Sequence, residues 1–264
     1  MPIATRSRLV GFLLLFFVVP VTGCSISEKQ EIEMGRKLHP QFEKESGGLY
    51  PDHQVQQYVN SVGQSVARYA GRPTLDWRFS VVNSEQVNAF AVPGGYIYIT
   101  QGLLFRMNNE AQLAGVLAHE SGHIAQRHTA KQIGRTRTTQ GLSSVVGIVG
   151  GIFGYGWAGD VTSAVGSLSL MSYSRGQERE ADTQGLKYMT QAGYNPMGLV
   201  QLMELLQSSG GGKGAPEFLS THPNPGNRVE YLTEEIQKKY FEAARSGELR
   251  EANFQRYVQS RRPG

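Results

Sequence analysis

The run LAGVLAHESGHIAQRH, from Leu113 to His128, restricts this chain most, because it sets three histidines and a glutamate in an otherwise apolar stretch. On a helix, positions four apart share a face with Cβ atoms about 5–6 Å apart. His119 and His123 therefore aim two imidazoles at one point. Leu113, Val116, Leu117 and Ile124 fill most of the remaining surface, which predicts a helix buried on all sides. Burying two imidazoles and a carboxylate is costly unless they are paired or hold a metal. The spacing suits zinc, one ion per chain, and Glu120 stands where it can accept a proton from water at the metal. Any fold for this chain has to wrap this helix and complete its ligand set.

A catalytic zinc normally takes three protein ligands and keeps one position open, so a third ligand comes from elsewhere. His128 lies nine residues after His119 and five after His123, which rotates it off the ligand face and makes it a structural or supporting histidine. SRGQEREAD supplies Glu178, Glu180 and Asp182 at the start of a later helix. Glu178 and Asp182 are four apart and share a face, so one can bind metal while the other hydrogen-bonds a ligand imidazole. Glu180 points elsewhere. Spacing alone also admits a solvated acidic helix start, favoured by the helix dipole.

The remaining pattern surrounds that helix. SEKQEIEMGRKLHPQFEKESGG predicts a charged early surface helix stopped by Gly47-Gly48. Asp52 caps a second helix in which Val55, Tyr58, Val59, Val62 and Val66 recur at helical spacing. WRFSVVNS reads as a strand, and NAFAVPGGYIYITQGLL as a hairpin turning at Pro93-Gly94-Gly95. Asn109 and Gln112 make a capping box for the zinc helix, and Ser174 with Gln177 caps the acidic helix, which GYNP stops near Gly193. The glycine-rich segment 141–170 is either close-packed helix, a mobile flap or a membrane-inserting stretch. The fold class is α+β and mostly helical, with a small antiparallel sheet beside the histidine helix. At 264 residues, with 26 Lys and Arg against 22 Asp and Glu and no run of like charge, the chain reads as one exported domain without a nucleic-acid footprint.

Residues 1–23 read as an export signal: Arg6 and Arg8 precede the apolar run LVGFLLLFFVVPV, which is too short to span a bilayer, since spanning needs roughly 20 residues. Val21-Thr22-Gly23-Cys24 resembles a bacterial lipobox, in which the cysteine is lipidated and becomes the new N-terminus. Cys24 is the chain's only cysteine, and lipidation removes what would otherwise be a reactive thiol. Ser25 after it, by resemblance to lipoprotein sorting in Gram-negative bacteria, favours a lipid anchor in the outer membrane facing the periplasm.

His119-Glu120-Ser121-Gly122-His123 followed by Glu178-Arg179-Glu180-Ala181-Asp182 resembles the M48 family of zinc metalloproteases. NAFAVPGGYIYITQGLL looks like the family's strand pair, and THPNPGNR like its late His-Pro motif, so the likeness covers most of residues 24–264. It implies a zincin-like peptidase domain with His119, His123 and Glu178 on zinc, Glu120 as general base and Asp182 orienting a ligand histidine. His222 would sit by the metal as oxyanion stabiliser or as a reversible fourth ligand, or else be a plain turn histidine. Arg228 would be a structural clamp. No long membrane helices follow the signal, as in the soluble periplasmic branch, and the stretch after Arg228 is too short for the helical repeats that some members carry.

The implied function is zinc-dependent cleavage of unfolded or misassembled envelope proteins, with the substrate added as a strand beside Tyr96–Thr100. The rival expectation is a zinc-binding lipoprotein chaperone or assembly factor whose site is closed by a fourth ligand. A cell-wall hydrolase finds no support in the motif.

Overall fold

The computed structural model describes residues 26–139, 171–209, 216–223 and 227–263. The expected signal with Cys24 and the glycine-rich segment 141–170 lie outside the described residues. The charged N-terminal stretch forms α1 (Glu28–Glu45), begun by a reciprocal capping box between Ser27 and Gln30. α2 (His53–Ala67) starts at Asp52, whose carboxylate accepts from the amides of Gln54 and Val55, and it buries the valine stripe.

Three strands follow: β1 (Arg78–Val82), β2 (Ala89–Val92) and β3 (Tyr96–Thr100). β2 and β3 are the expected hairpin, with Phe90 opposite Tyr98. In its turn Gly94 and Gly95 take φ values of +89° and +105°, a region that side chains disfavour. β1 pairs parallel with β3, Phe79 opposite Ile97. The sheet, ordered β1-β3-β2, is therefore mixed, where a wholly antiparallel one was expected. The hairpin turn ties β2 to one side of β3, while the connection after β1 has no such turn and leaves β1 free to take the other side. β3 is buried at all five positions, as a strand flanked on both sides has to be. This placement also corrects the expected docking strand: β3 has no free edge, and β2 is the edge strand nearer the site.

After the short α3 (Gln101–Leu104) comes α4 (Glu110–Ala125), the histidine helix. Asn109 accepts from the amide of Gln112 as expected, but the Gln112 side chain reaches one residue further back, to the amide of Asn108. Every residue from Glu110 to Ile124 is buried, so α4 is the hub of the fold. Arg127, at φ +57°, breaks the chain direction before α5 (His128–Thr139).

α6 (Arg175–Gln191) opens with the Ser174–Gln177 capping box and stops before Gly193 at φ +85°. The rest is helical: α7 (Met197–Ser208), α8 (Phe218–Thr221), α9 (Arg228–Lys239), α10 (Phe241–Ser246) and α11 (Glu251–Tyr257). α6 lies along α4 at backbone distance, because a Cβ at Gly122 would come 2.9 Å from the Ala181 carbonyl oxygen and one at Gly185 would come 3.2 Å from the His119 nitrogen. That approach sets the acidic helix at a fixed height against both histidines. α2, α7 and β2 pack on other sides of α4. Among the described residues no helix is long and apolar enough to cross a membrane.

Candidate active site

α4 and α6 bring the two sequence motifs together. Nε2 of His119 lies 3.0 Å from Nε2 of His123, and the Glu178 carboxylate stands 3.6 Å from the first and 3.3 Å from the second. His222, the residue after α8, places Nδ1 3.0 Å from Glu178 Oε1 and 3.3 Å from His119 Nε2. One ligand atom from each of these four residues falls within 4.8 Å of the others, and all four residues are buried. Around a tetrahedral zinc at its usual bond lengths, ligand atoms stand roughly 3.4 Å apart. The donor set and its spacing fit that ion.

Around the donors lies a layer that fixes each imidazole. Nδ1 of His119 is 3.0 Å from Oδ1 of Asp182, and Nδ1 of His123 is 2.9 Å from Nδ1 of His128. His128 leans in turn on the Glu180 carboxylate at 3.1 Å, so the supporting role expected of it has a geometric basis, and Glu180 is turned away from the donors. Arg228, at the start of α9, is fully buried and holds both acidic partners: Nη1 donates to Glu178 at 3.0 Å, Nη2 to Asp182 at 2.6 Å and Nε to Asp182 at 2.8 Å. The Tyr231 hydroxyl donates to the second oxygen of Asp182.

Glu120 is the exception in this network. It is fully buried, and neither of its carboxylate oxygens has a hydrogen-bond partner among the described residues. Desolvation pushes its pKa up, against the pull of His222 and His119. Glu178 is equally desolvated, yet His222, His123 and His119 outweigh that and hold it far below the ordinary carboxylate range. Burial pushes His123 well down, keeping its imidazole neutral and able to donate a lone pair. The two glutamates thus differ: Glu178 accepts from Arg228 and stands against three imidazoles, whereas Glu120 makes no hydrogen bond among the described residues and has His222 Nε2 at 3.5 Å.

Tyr173 and Phe218 pack against the histidines of the site. The Tyr173 ring stacks on His123 with centroids 3.8 Å apart, its amide donates to the Thr221 carbonyl and its hydroxyl meets Thr129. Phe218 stacks on His222 at 4.3 Å. Neither aromatic carries a spacing signal in the sequence. Tyr231 carries a weak one, since it follows Arg228 by three residues and shares its face.

Residues 53–236, which contain this whole constellation, match Peptidase family M48. The chain belongs to that family. M48 peptidases are zinc metalloproteases, and zinc is the cofactor that the His119, His123, Glu178 and His222 cluster is able to hold. The β-barrel assembly-enhancing protease of Yersinia pestis is 32% identical over 240 residues, covering 86% of this chain and 49% of the relative. The protein of the same name from Escherichia coli (strain K12) is 31% identical over 215 residues, 78% of this chain and 44% of its own length. The mitochondrial metalloendopeptidase OMA1 of Schizosaccharomyces pombe is 32% identical over 224 residues, 82% of this chain and 65% of its own. The chain spans about half the length of the bacterial relatives it matches.

In an M48 site, bound zinc supplies Lewis acidity to the peptide carbonyl and to the attacking water. The residues present divide the other tasks. Asp182 and His128 stand against the Nδ1 atoms of His119 and His123, Arg228 hydrogen-bonds Glu178 and Asp182 and holds both in place, and Glu120 is buried beside the donors.

Proposed function

We propose that the protein is a zinc-dependent endopeptidase of the bacterial cell envelope that degrades misfolded or misassembled envelope proteins. The observation that carries this reading is the buried Glu120 carboxylate, which makes no hydrogen bond among the described residues and stands 3.5 Å from His222 Nε2, beside a donor cluster that fits zinc. A carboxylate so placed has a use only if a water molecule comes to it. In the proposed reaction His119, His123 and Glu178 hold the metal, Glu120 takes the proton of the attacking water, and Glu120 then gives it to the leaving amine. The substrate lies extended along the edge of β2, Ala89–Val92, which no other strand among the described residues covers, its backbone paired by strand addition. That mode reads backbone rather than sequence and favours chains that have lost their fold. The names of the bacterial relatives are consistent with a role in the envelope.

His222 is proposed as a reversible cap on the metal. Its Nδ1 stands among the donors, and the gap between β2, Tyr173 and His222 measures about 20 Å³, too small for a peptide. Both observations support the reading of a latched enzyme. The same four-donor arrangement favours the rival reading, a zinc-binding chaperone or assembly factor with a closed structural site. Such a scaffold gives no reason to bury Glu120 without a hydrogen bond, and the peptidase reading does. Lipidation of Cys24 and attachment to the outer membrane complete the proposal.

The test uses one substrate in two states, an outer-membrane protein presented folded and unfolded. Cleavage of the unfolded form alone, abolished by a chelator and restored by zinc, is expected. Stable binding of the unfolded form with no cleavage under any metal condition would favour the chaperone. Cys24→Ser is expected to move the protein from the membrane fraction to the soluble periplasm, and retention in the membrane would contradict the anchor.

A further inference from the structure

We propose that Arg127 and Glu31 are positioning residues for the metal site, because together they hold the turn after α4 that brings His128 against His123. The proposal rests on the reading of His123 as a zinc ligand. A continued α4 would carry His128 off the ligand face, since it lies five residues after His123. The turn prevents this. Gln126 ends α4, and Arg127 follows at φ +57°, in the left-handed region that glycine commonly takes at this place after a helix. α5 then starts at His128, whose Nδ1 lies 2.9 Å from Nδ1 of His123 while its Nε2 meets Glu180.

A residue with a Cβ is disfavoured in that conformation, so an arginine there needs contacts that a glycine cannot make. Its side chain supplies them. Nε donates to Glu31 at 2.8 Å, and Nη2 donates to the carbonyl of Ile26. Glu31, on α1, is only 2% exposed, and it also accepts from Nη1 and Nη2 of Arg72 at 3.1 and 3.2 Å. Arg72 in turn donates to the carbonyl of Ile124, in the last turn of α4, at 3.0 Å.

The Glu31 carboxylate thus lies between two guanidiniums, one bound to the end of the histidine helix and the other forming the turn beyond it. Charge-assisted hydrogen bonds of this kind are short and directional, so the buried carboxylate fixes the turn as well as offsetting charge. Both residues act through His128. The partner that stands behind a ligand imidazole sets its orientation and with it the metal affinity. α1, which contributes no donor to the cluster, therefore takes part in building the site.

Zinc affinity, by competition against a chromogenic chelator, and the visible spectrum of the cobalt-substituted protein should be measured for wild type, Arg127→Gly, Glu31→Gln and His128→Ala. The first two substitutions should also be made in the His128→Ala background. Glycine accepts the left-handed φ freely, so Arg127→Gly removes the contacts while still permitting the turn. Each single substitution is expected to weaken zinc binding about tenfold and to alter the cobalt spectrum. Once His128 is alanine, neither Arg127→Gly nor Glu31→Gln should weaken binding further. Wild-type affinity with a wild-type cobalt spectrum in Arg127→Gly would overturn the proposal. So would a loss of equal size with and without His128, which would make the contacts purely structural. Circular dichroism reports whether each variant folds, and if Arg127→Gly does not, Glu31→Gln decides by the same comparison. A wild type that binds neither metal would overturn the ligand reading itself, and the positioning role would fall with it.

Discussion

Nδ1 of His119 stands 3.0 Å from Oδ1 of Asp182, and this contact joins the two motifs that lie some sixty residues apart in the chain. A proton on Nδ1 shared with Asp182 would leave Nε2 to the metal. Asp182→Asn should weaken zinc binding about 10–100-fold while the fold is retained. Competition against a chromogenic chelator measures this, and an unchanged affinity would remove Asp182 from the orienting role.

Arg228 compensates two buried carboxylates at once. Breaking a buried ion pair by removing one partner leaves uncompensated charge and costs about 3–5 kcal/mol. Arg228→Met should therefore destabilise the metal-free protein by about that amount, since both buried carboxylates lose the guanidinium that hydrogen-bonds them. Urea unfolding of chelator-treated protein is the measurement. A loss under about 1 kcal/mol would mean that solvent or a shift in the helices takes over the arginine's task.

Gly122, inside the histidine motif, is tested by its methyl. Gly122→Ala sets a Cβ 2.9 Å from the Ala181 carbonyl oxygen, a backbone atom that cannot turn aside. Forcing α4 and α6 apart should cost about 1–3 kcal/mol and weaken zinc binding, because the donors are divided between these helices. Gly176→Ala is the control, with only the Ser174 hydroxyl nearby at 3.9 Å. It should be neutral or stabilising by up to about 1 kcal/mol. Equal effects at the two positions would refute the close-approach argument.

What could be read in the sequence was local. The four-residue spacing of His119 and His123, the apolar residues around them, and the caps at Asp52, Asn109 and Ser174 all express short-range geometry, and the structure places each where expected. Glu178 and Asp182 were legible as a pair sharing one face, though spacing could not say which of them meets the metal. What was missed depends on long-range placement. A hairpin turn tied β2 to β3, but nothing local said that β1 would take the far side of β3, and the expected docking strand was wrong for that reason. Tyr173 and Tyr231 meet the site only after the helices pack, and a tyrosine carries no spacing signature of its own. The Gln112 side chain reaching Asn108 instead of Asn109 shows that the right residues can make a variant of the expected cap.

The capping role proposed for His222 makes a directional prediction. With Nδ1 3.0 Å from Glu178 and a gap of only about 20 Å³ beside it, His222→Ala should retain zinc through His119, His123 and Glu178 while cleavage of a short unstructured peptide rises several-fold. Loss of cleavage with zinc retained would assign His222 to oxyanion stabilisation instead. Loss of zinc itself would make it an obligatory ligand and favour a structural site.

The most direct test of the central claim is a paired determination of bound zinc and of unfolded-protein cleavage in wild type and Glu120→Gln. The two side chains are nearly the same size, and Glu120 makes no hydrogen bond among the described residues that the amide could break. The account predicts about one zinc per chain in both proteins and cleavage in the wild type only, reduced in the variant by about 100-fold or more. Equal cleavage by both, or a folded wild type that binds no zinc, would contradict it.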